Sequence, residues 1–279
     1  MSYTLTVTAT RTCTVKELLL KDAALSATIV KRAKYGGIRL RGETVTVRAT
    51  VCAGETVTVT LADTPSVIPP IDRPLEVLYE DGDILAVVKE RGMPMHPCRG
   101  NHLPTLANVV AAHREDMPIF RAIGRLDRDT SGVVLLAKHA LAASRLGGAM
   151  KEGAIGREYV AVIDGTLTPQ TGRVDAPIAR ESEGSMRRTV CEGGKRAITD
   201  YETLSVLDGT HSLVRLRLLT GRTHQIRVHM AYLGHPLTGD ALYGEASEEG
   251  YRLHATALTF PHPRDGKPIT VRSIPSWLS

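Results

Sequence analysis

The residue types that could carry chemistry are concentrated at residues 124–132, which read GRLDRDTSG. Two aspartates, Asp127 and Asp129, alternate there with two arginines, and two hydroxyl residues follow. The apolar residues 133–137 come next and predict a short buried strand. We therefore expect a loop held at a sheet edge, where catalytic groups are often placed. A salt-bridged turn with a purely structural role explains the same residues, and on their own they favour it.

Two further polar stretches contain candidate site residues. Residues 157–159 (REY) open an apolar run, and Tyr159 is either a core tyrosine or a site residue. Residues 218–229 include Arg222 and Arg227, which flank a Thr-His-Gln sequence at the start of an expected helix. Helix N-termini and guanidinium groups both favour phosphate or carboxylate ligands. Structural ion pairs of the two arginines explain this pattern equally well.

Several common catalytic motifs are absent from the sequence. It has no phosphate-binding loop of the G-x-x-x-x-G-K-[ST] type, no G-x-G-x-x-G and no G-x-S-x-G elbow. His224, His229 and His235 are five and six residues apart, a spacing that does not align them on one helix face. The four cysteines form no C-x-x-C pair. Nucleotide hydrolysis and hydride transfer therefore lose support, and we expect no metal.

The composition is that of an ordinary globular protein. The chain has 279 residues, of which 42% are hydrophobic and 23% charged, enough for one large domain or two smaller ones. No apolar run approaches the roughly 18 residues that span a bilayer, and the N-terminal residues lack the pattern of a secretion signal. Scattered cysteines suit a reducing compartment. We expect a monomer in the cytoplasm, without a membrane partner.

Residues 1–62 predict a small domain with two short helices and several short strands. Thr14 and Glu17 have the spacing of a capping box at the first helix, and Ser26 can cap the second. The second helix carries three clustered cations: Lys31, Arg32 and Lys34. The first 63 residues hold nine basic and five acidic side chains, so most of the net charge of +5 lies here. A solvated helix face and a contact with nucleic-acid phosphates explain this charge equally well.

The rest of the chain predicts a linker and a larger domain. Residues 63–74 contain four prolines and indicate a semi-rigid linker. Asp81-Gly82 indicates a hairpin, Thr105 can cap a helix, and residues 140–153 predict another. About nine strands and three helices, without β-α-β alternation, are expected in residues 75–279. We predict class α+β: a mixed, largely antiparallel sheet with flanking helices, next to a small N-terminal α/β domain.

In chain order, these motifs resemble the RluA-type RNA pseudouridine synthases. Residues 125–132 resemble the arginine-leucine-aspartate signature of that family. Four later segments match the rest of its pattern: Arg157-Glu158-Tyr159, Gly194-Lys195-x-Ala197, Thr220 to Arg227, and Arg252 to Ala255. The resemblance covers nearly all of residues 76–270. Lys89 and the loop at residues 92–97 match the first part of the family pattern. One departure is Gly124, where this branch usually has histidine and sister branches have glycine.

The N-terminal segment resembles an S4-type RNA-binding domain. The match lies in Leu25-Ser26 with the basic helix that follows, and in residues 37–42 (GIRLRG). Arg41 stands where such domains usually have asparagine. The resemblance therefore implies an RNA-binding domain at residues 1–62, a linker at 63–74 and a catalytic domain at 75–279.

The resemblance implies an enzyme that isomerises uridine to pseudouridine in structured RNA. The essential aspartate of the family maps to Asp127, as nucleophile or as base at the ribose. Tyr159 would stack on the displaced base and could move a proton at C5, and Arg222 would pair with Asp127. Further RNA contacts are implied for Arg125, Lys195 and Arg227, and in the N-terminal domain for Lys31, Arg32 and Lys34. The arginine that maps to Arg125 would help displace the target base from its stack.

The implied reaction also limits which cofactors and which RNA substrates are expected. Isomerisation is redox-neutral and hydrolyses nothing, so no metal, nucleotide or organic cofactor is implied. Ribosomal RNA is the expected substrate, because S4-like fusions in this family mostly serve it, and transfer RNA stays open. The alternative is a catalytically silent RNA-binding or RNA-folding protein on the same fold. The presence of Asp127, Tyr159 and Arg222 argues against that alternative.

Overall fold

A computed structural model describes residues 2–62, 68–97, 104–114, 117 and 119–278. The first range, residues 2–62, is called the N-terminal unit below. Its strands are β1 (Ser2–Thr8), β2 (Cys13–Thr14), β3 (Ile38–Leu40), β4 (Glu43–Thr44), β5 (Thr50–Val51) and β6 (Thr56–Ala62). Its helices are α1 (Val15–Glu17), which continues as a π-helical turn (Leu18–Asp22), and α2 (Ala27–Ala33). Four strands form an antiparallel sheet in the order β1-β6-β3-β4, and β2 pairs with β5.

The caps of α1 and α2 are the predicted ones. Thr14 and Glu17 bond reciprocally, each accepting the backbone N–H of the other at 3.2 Å. The Ser26 hydroxyl accepts the N–H of Ile29 at 3.3 Å. Each cap satisfies a backbone donor that the first helical turn leaves unpaired. The apolar side of α2 is buried and its cations are exposed, so the amphipathic pattern sets the orientation of this helix.

A ten-stranded sheet organises the rest of the chain. The strands after the N-terminal unit are β7 (Val77–Glu80), β8 (Ile84–Lys89), β9 (Ala122–Ile123), β10 (Ser131–Ala137), β11 (Gly156–Asp164), β12 (Thr171–Asp175), β13 (Ile178–Arg180), β14 (Arg188–Val190), β15 (Ile198–Val206), β16 (His211–Leu218), β17 (Leu253–Pro261) and β18 (Pro268–Arg272). The main path runs β12-β15-β16-β11-β17-β10-β8-β7, with β18 paired to β17 and β9 to β10. The pair β10–β17 is parallel and the other ladders are antiparallel. The mixed, largely antiparallel α+β prediction is confirmed.

Three helices flank this sheet: α3 (Leu106–His113), α4 (Ala140–Lys151) and α5 (Gln225–Tyr232), and a 3-10 turn follows at Ser276–Leu278. Thr105 caps α3 as predicted, through a reciprocal pair with Asn108. Twelve strands are formed within the described ranges beyond residue 75, against about nine predicted. No helix in these ranges is long and apolar enough to cross a membrane.

The central strand β10 is buried on both faces. Val134 and Leu136 belong to one apolar core, which includes residues of α3 and α5. Val133 and Leu135 belong to a second core on the other face, which includes residues of α4. A strand covered on both sides reads as a continuous apolar run instead of an alternating one. The run 133–137 therefore marks the middle of the sheet.

The N-terminal unit packs against the beginning of α4. Ala140 and Leu141 are buried in the same apolar core as the residues of the N-terminal unit. The Ser26 N–H donates to Ser144 Oγ at 2.8 Å. The rings of Tyr3 and His139 stack with centroids 3.6 Å apart. Residues 68–76 form neither helix nor strand, and the first part of the predicted linker, residues 63–67, lies outside the described residues.

Candidate active site

The loop between β9 and β10 carries Asp127 to the centre of the large sheet. Its exit is fixed where β10 begins, because Ser131 and Gly132 pair with His254 and Ala255 of β17. Gly132 has a φ of +114°, and a side chain there would collide with the backbone oxygen of Ala255. A glycine is therefore required at the point where the loop joins the sheet.

The two aspartates of this loop have different surroundings. The Thr130 N–H donates to the Asp127 carbonyl at 3.2 Å and closes a turn. Asp129 accepts from the guanidinium of Arg128, with Nε and Nη2 each 3.0 Å from a carboxylate oxygen. Asp129 therefore forms part of the turn, as the sequence suggested, and the carboxylate of Asp127 faces the cleft.

The loop also starts on a glycine that the backbone needs. Gly124 has a φ of +87°, in the left-handed region that favours glycine. A Cβ on Gly124 would lie 3.4 Å from Met150 Cε, at the end of α4. This departure from the family pattern thus matches both the local backbone conformation and the close packing of α4.

Lys89 fixes the loop between β9 and β10 through hydrogen bonds to backbone carbonyls. The side chain is completely buried at the end of β8, and Nζ donates to the carbonyls of Glu90, Met93 and Arg128 at 2.8, 2.8 and 2.9 Å. Burial lowers the pKa of Lys89 to about 8, although Asp129 and other acidic neighbours oppose the shift. The three hydrogen bonds tie the turn around Asp127 to the neighbouring strand. The sequence identified Lys89 only as part of a motif. Its burial could not be predicted, because it depends on tertiary contacts.

Two side chains of the α5 region approach the Asp127 carboxylate. Arg227 Nη1 and His224 Nε2 each lie 4.0 Å from Asp127 Oδ2. The predicted ion pair of Arg222 with Asp127 is wrong. Arg222 Nε donates instead to the carbonyl of Arg196 at 2.9 Å, because Arg222 precedes α5 in an exposed loop while Arg227 lies in its first turns.

Arg227 is held rigidly by a buried pair. Its Nε and Nη2 donate to the two oxygens of Asp240, each at 2.6 Å, and Asp240 is completely buried. The guanidinium also lies over the rings of Tyr251 and Tyr243, at 4.6 and 5.0 Å from their centroids. Burial acts to lower the pKa of Arg227, but the hydrogen bond with Asp240 and further acidic neighbours raise it overall. A permanent cation therefore stands beside Asp127.

His224 has an unusual backbone for its residue type. It caps α5 with φ 58° and ψ 19°, in the left-handed region that few non-glycine residues adopt. Its Nδ1 lies 2.9 Å from the Tyr243 hydroxyl, which also accepts the Arg188 N–H at 2.9 Å. Burial lowers the pKa of His224, although Asp127 opposes the shift. The imidazole is therefore neutral near pH 7. The sequence placed His224 between two arginines but gave no reason to select it.

Tyr159 lies on β11, buried against the cleft and 7% exposed. Burial raises its pKa to about 12, and the nearby Arg157 partly opposes this shift. The phenol is therefore protonated at neutral pH. It offers a ring face and an O–H donor, and it is a poor base in the free protein.

These residues line a cleft of about 520 Å³ formed by the loop between β9 and β10, α4, β11 and the start of α5. Its polar lining consists of Arg125, Asp127, Thr130, Lys151, Arg157, Thr220, Arg222, Thr223, His224, Gln225 and Arg227, with Tyr159 on the wall. Of the predicted residues, Lys195 is exposed and does not line the cleft. The cations Lys31, Arg32 and Lys34 are exposed on α2 in the N-terminal unit. The cleft thus combines the Asp127 carboxylate with an excess of cations.

The structure thus places the Asp127 carboxylate at the end of a loop on a mixed sheet, facing a cleft rich in cations. A model of the RNA pseudouridylate synthase family matches residues 83–232. The chain is similar to the uncharacterized RNA pseudouridine synthase YjbO of Bacillus subtilis, with 38% identity over 90% of this chain and 91% of the relative. It is also similar to ribosomal large subunit pseudouridine synthase D of Xanthomonas campestris, with 38% identity over 85% of this chain and 77% of the relative.

Solved structures agree with these relatives. The human RNA pseudouridylate synthase domain containing 1 superposes with a TM-score of 0.63 at 29% identity, over 75% of this chain and 86% of the human chain. The chain therefore belongs to the RNA pseudouridylate synthase family and is a pseudouridine synthase.

Proposed function

We propose that this enzyme isomerises specific uridines of ribosomal RNA to pseudouridine, with Asp127 as the reacting carboxylate. The observation that carries the proposal is the position of Asp127 in the cleft, with Arg227 and His224 each 4.0 Å from the same carboxylate oxygen. Relatives named ribosomal large subunit pseudouridine synthase D, from Xanthomonas campestris and Vibrio cholerae, support ribosomal RNA as the substrate.

The reaction breaks the bond between C1′ and N1 and forms one between C1′ and C5. C5 loses its proton and N1 gains one, so the atoms balance without a co-substrate. Asp127 would act at the ribose, either as nucleophile at C1′ or as base. Both roles require a charged carboxylate held still, and Arg227, itself fixed by Asp240, supplies the opposite charge. Tyr159 would offer its ring face to the detached base.

The N-terminal unit would add a second contact with the RNA. Lys31 and Arg32 are exposed on α2 and Lys34 is exposed at its C-terminal end, whereas Ile29 and Val30 are buried. Exposed cations clustered within four residues of one short helix favour contact with phosphates. We propose that this unit is an S4-like RNA-binding domain and that residues from 75 onward form the catalytic domain.

The test is tritium release from ribosomal RNA labelled at C5 of uridine. We expect release by the wild-type protein and none by D127N. D129N is the matched control, because it removes the same charge from the same loop and is expected to keep activity within a few-fold. Full activity of D127N would refute the role of Asp127. RNA binding without tritium release by the wild-type protein would instead indicate a catalytically silent RNA-binding protein.

The substrate is tested by mapping pseudouridines in total RNA from a strain that lacks this protein. We expect loss of sites in ribosomal RNA, restored by the wild-type gene and not by D127N. Loss confined to transfer RNA would contradict the proposed substrate and leave the reaction intact.

A further inference from the structure

Arg157 is a cation of the cleft with an unfilled hydrogen-bonding group. It begins the Arg-Glu-Tyr sequence on β11, two residues before Tyr159, and lines the cleft. Its Nε is buried and has no hydrogen-bond partner among the described residues. Its Nη2 reaches the carbonyl of Leu218 at 3.4 Å, which is long for such a bond. A buried donor without a partner is rare in native proteins and requires an explanation.

Other arginines of the same sheet are paired. Arg217, which faces Glu158 across the β11–β16 ladder, binds that carboxylate at 3.0 Å. Arg215 faces Glu202 across the neighbouring β15–β16 ladder, and Arg215 Nη1 lies 2.8 Å from Glu202 Oε2. The pKa of Arg157 is lowered by burial, and Tyr159, not a carboxylate, is the group that opposes the shift. Arg157 thus lacks the opposite charge that these arginines have.

A glycine makes room for this guanidinium. A Cβ on Gly221, in the segment after β16, would lie 2.6 Å from Arg157 Nη1. Any side chain at position 221 would therefore compete with the guanidinium for its place on the cleft wall. Gly221 and Arg157 thus form a cationic position with no carboxylate partner in the part of the chain that the structure describes.

We propose that Arg157 binds a backbone phosphate of the RNA next to the target uridine. The proposal rests on the proposed function, since it assumes an RNA substrate in this cleft. Uracil and ribose carry no charge, so the phosphate is the part of the substrate that can neutralise the half-buried guanidinium of Arg157. Guanidinium groups bind phosphate oxygens through two parallel hydrogen bonds. The exposed cations Arg125 and Lys151 on the same cleft would attract the backbone toward this position.

The proposal is tested with R157Q and R157K, measured for turnover and for RNA binding as a function of salt. For R157Q we expect at least a tenfold rise in KM, with kcat at saturating RNA within about threefold of wild type. A plot of the logarithm of the RNA association constant against the logarithm of the salt concentration should become less steep by about 0.7 to 0.9, the value for one phosphate contact. R157K keeps the charge and should retain the salt slope with a smaller rise in KM. R217Q is the matched control, because Arg217 is already paired with Glu158, and its salt slope should equal that of wild type.

A second variant and a stability measurement distinguish phosphate binding by Arg157 from a merely structural role of this residue. G221A leaves the charge in place but displaces the guanidinium, so KM should rise as in R157Q. The melting temperature of R157Q should equal or exceed that of wild type, because the substitution removes a buried donor that has no partner. A lower melting temperature, together with an unchanged salt slope, would make Arg157 a structural residue and overturn the proposal.

Two further outcomes decide the matter. Unchanged KM and salt slope in R157Q would refute the phosphate contact. A fall in kcat alone would show that Arg157 acts through Tyr159, and this also refutes it. Both results are independent of the test with D127N: if wild type released no tritium while R157Q still lowered the salt slope, the proposed function would fail and the phosphate contact would stand.

Discussion

Arg227 and Asp127 approach each other to 4.0 Å, while the same guanidinium holds the buried Asp240 through two hydrogen bonds of 2.6 Å. Arg227 is thus shared between a carboxylate that is fully enclosed and one that faces the cleft. The enclosed carboxylate fixes the guanidinium, and the guanidinium in turn places its remaining edge against Asp127.

Removal of the enclosed carboxylate should therefore damage both stability and activity. D240N leaves Arg227 buried without its partner, and we expect a loss of about 3 to 5 kcal/mol in the free energy of unfolding. Activity should fall as well, because a released guanidinium can move fully onto Asp127. Urea unfolding and tritium release measure the two effects. The control is D200N, which breaks the exposed pair with Arg173 and should cost less than about 1 kcal/mol. Equal losses in the two variants would contradict the prediction.

His224 should influence turnover more than folding. H224N is the informative change, because asparagine tolerates the left-handed backbone at this position. We expect kcat to fall at least tenfold with the melting temperature nearly unchanged, since the neighbour of Asp127 is lost without new backbone strain. Protonation of His224 would add a second cation beside Asp127. Because burial lowers the pKa of His224 from its ordinary value, the wild-type rate should fall only in acid, below that ordinary value, and H224N should lack that fall. H113N, which alters an exposed histidine on α3, should leave rate and pH profile unchanged.

His254 should make the protein less stable in acid. It is buried between Ser131 Oγ at 2.8 Å and Ser273 Oγ at 3.2 Å, and burial lowers its pKa from 6.5 to about 4. Between these pH values the unfolded chain binds a proton that the folded chain does not bind. The free energy of unfolding therefore decreases as the pH falls from about 6.5 to about 4, by up to about 3 kcal/mol from this residue.

The measurement for His254 is urea unfolding at pH 7 and pH 4.5. We expect a smaller difference between the two pH values in H254N than in wild type, with H113N matching wild type. Equal differences in all three proteins would assign the acid sensitivity to other groups.

The exposed cations of α2 should govern the affinity for RNA. Charge reversal at Lys31, Arg32 and Lys34 should weaken binding and flatten its salt dependence, because fewer counterions are released from the RNA. Filter binding across a salt series measures both quantities. The control is K267E, which reverses the charge of a lysine before β18 whose side chain is 81% exposed. A salt slope equal to that of wild type in the reversed variant would assign the α2 charges to solubility.

Local signals in the sequence predicted many of the elements well, together with the position of the loop before β10. The caps at Thr14, Ser26 and Thr105 were predictable, because a cap is made by residues three apart in the chain. The buried strand β10 was predictable from residues 133–137, and the α+β class followed from the order of strands and helices. The short strands β9, β13 and β14 were missed, since two or three residues carry no detectable period.

Contacts between distant segments were predicted less well. Arg222 and Arg227 both stood in one motif, and only the start of α5 at Gln225 decides which of them turns inward. Lys89 carries no sign in the sequence that its Nζ meets three carbonyls, one of them 39 residues away. The His224 ring is positioned by a hydrogen bond with the hydroxyl of Tyr243, which lies 19 residues later in the chain. Such roles depend on how the strands and loops are assembled, which neighbouring residues do not encode.

Helix α4 touches the N-terminal unit at one end and the cleft at the other. Ala140 and Leu141 lie in the apolar core of that unit, while Met150 and Lys151 line the cleft. Twelve residues of α-helix span about 18 Å. Under the proposed binding of RNA to both the N-terminal unit and the cleft, the length of α4 sets the distance between the two RNA contacts. An RNA that grips both ends would have to present its uridine at one distance, and lengthening α4 by one turn would reset the site that is modified.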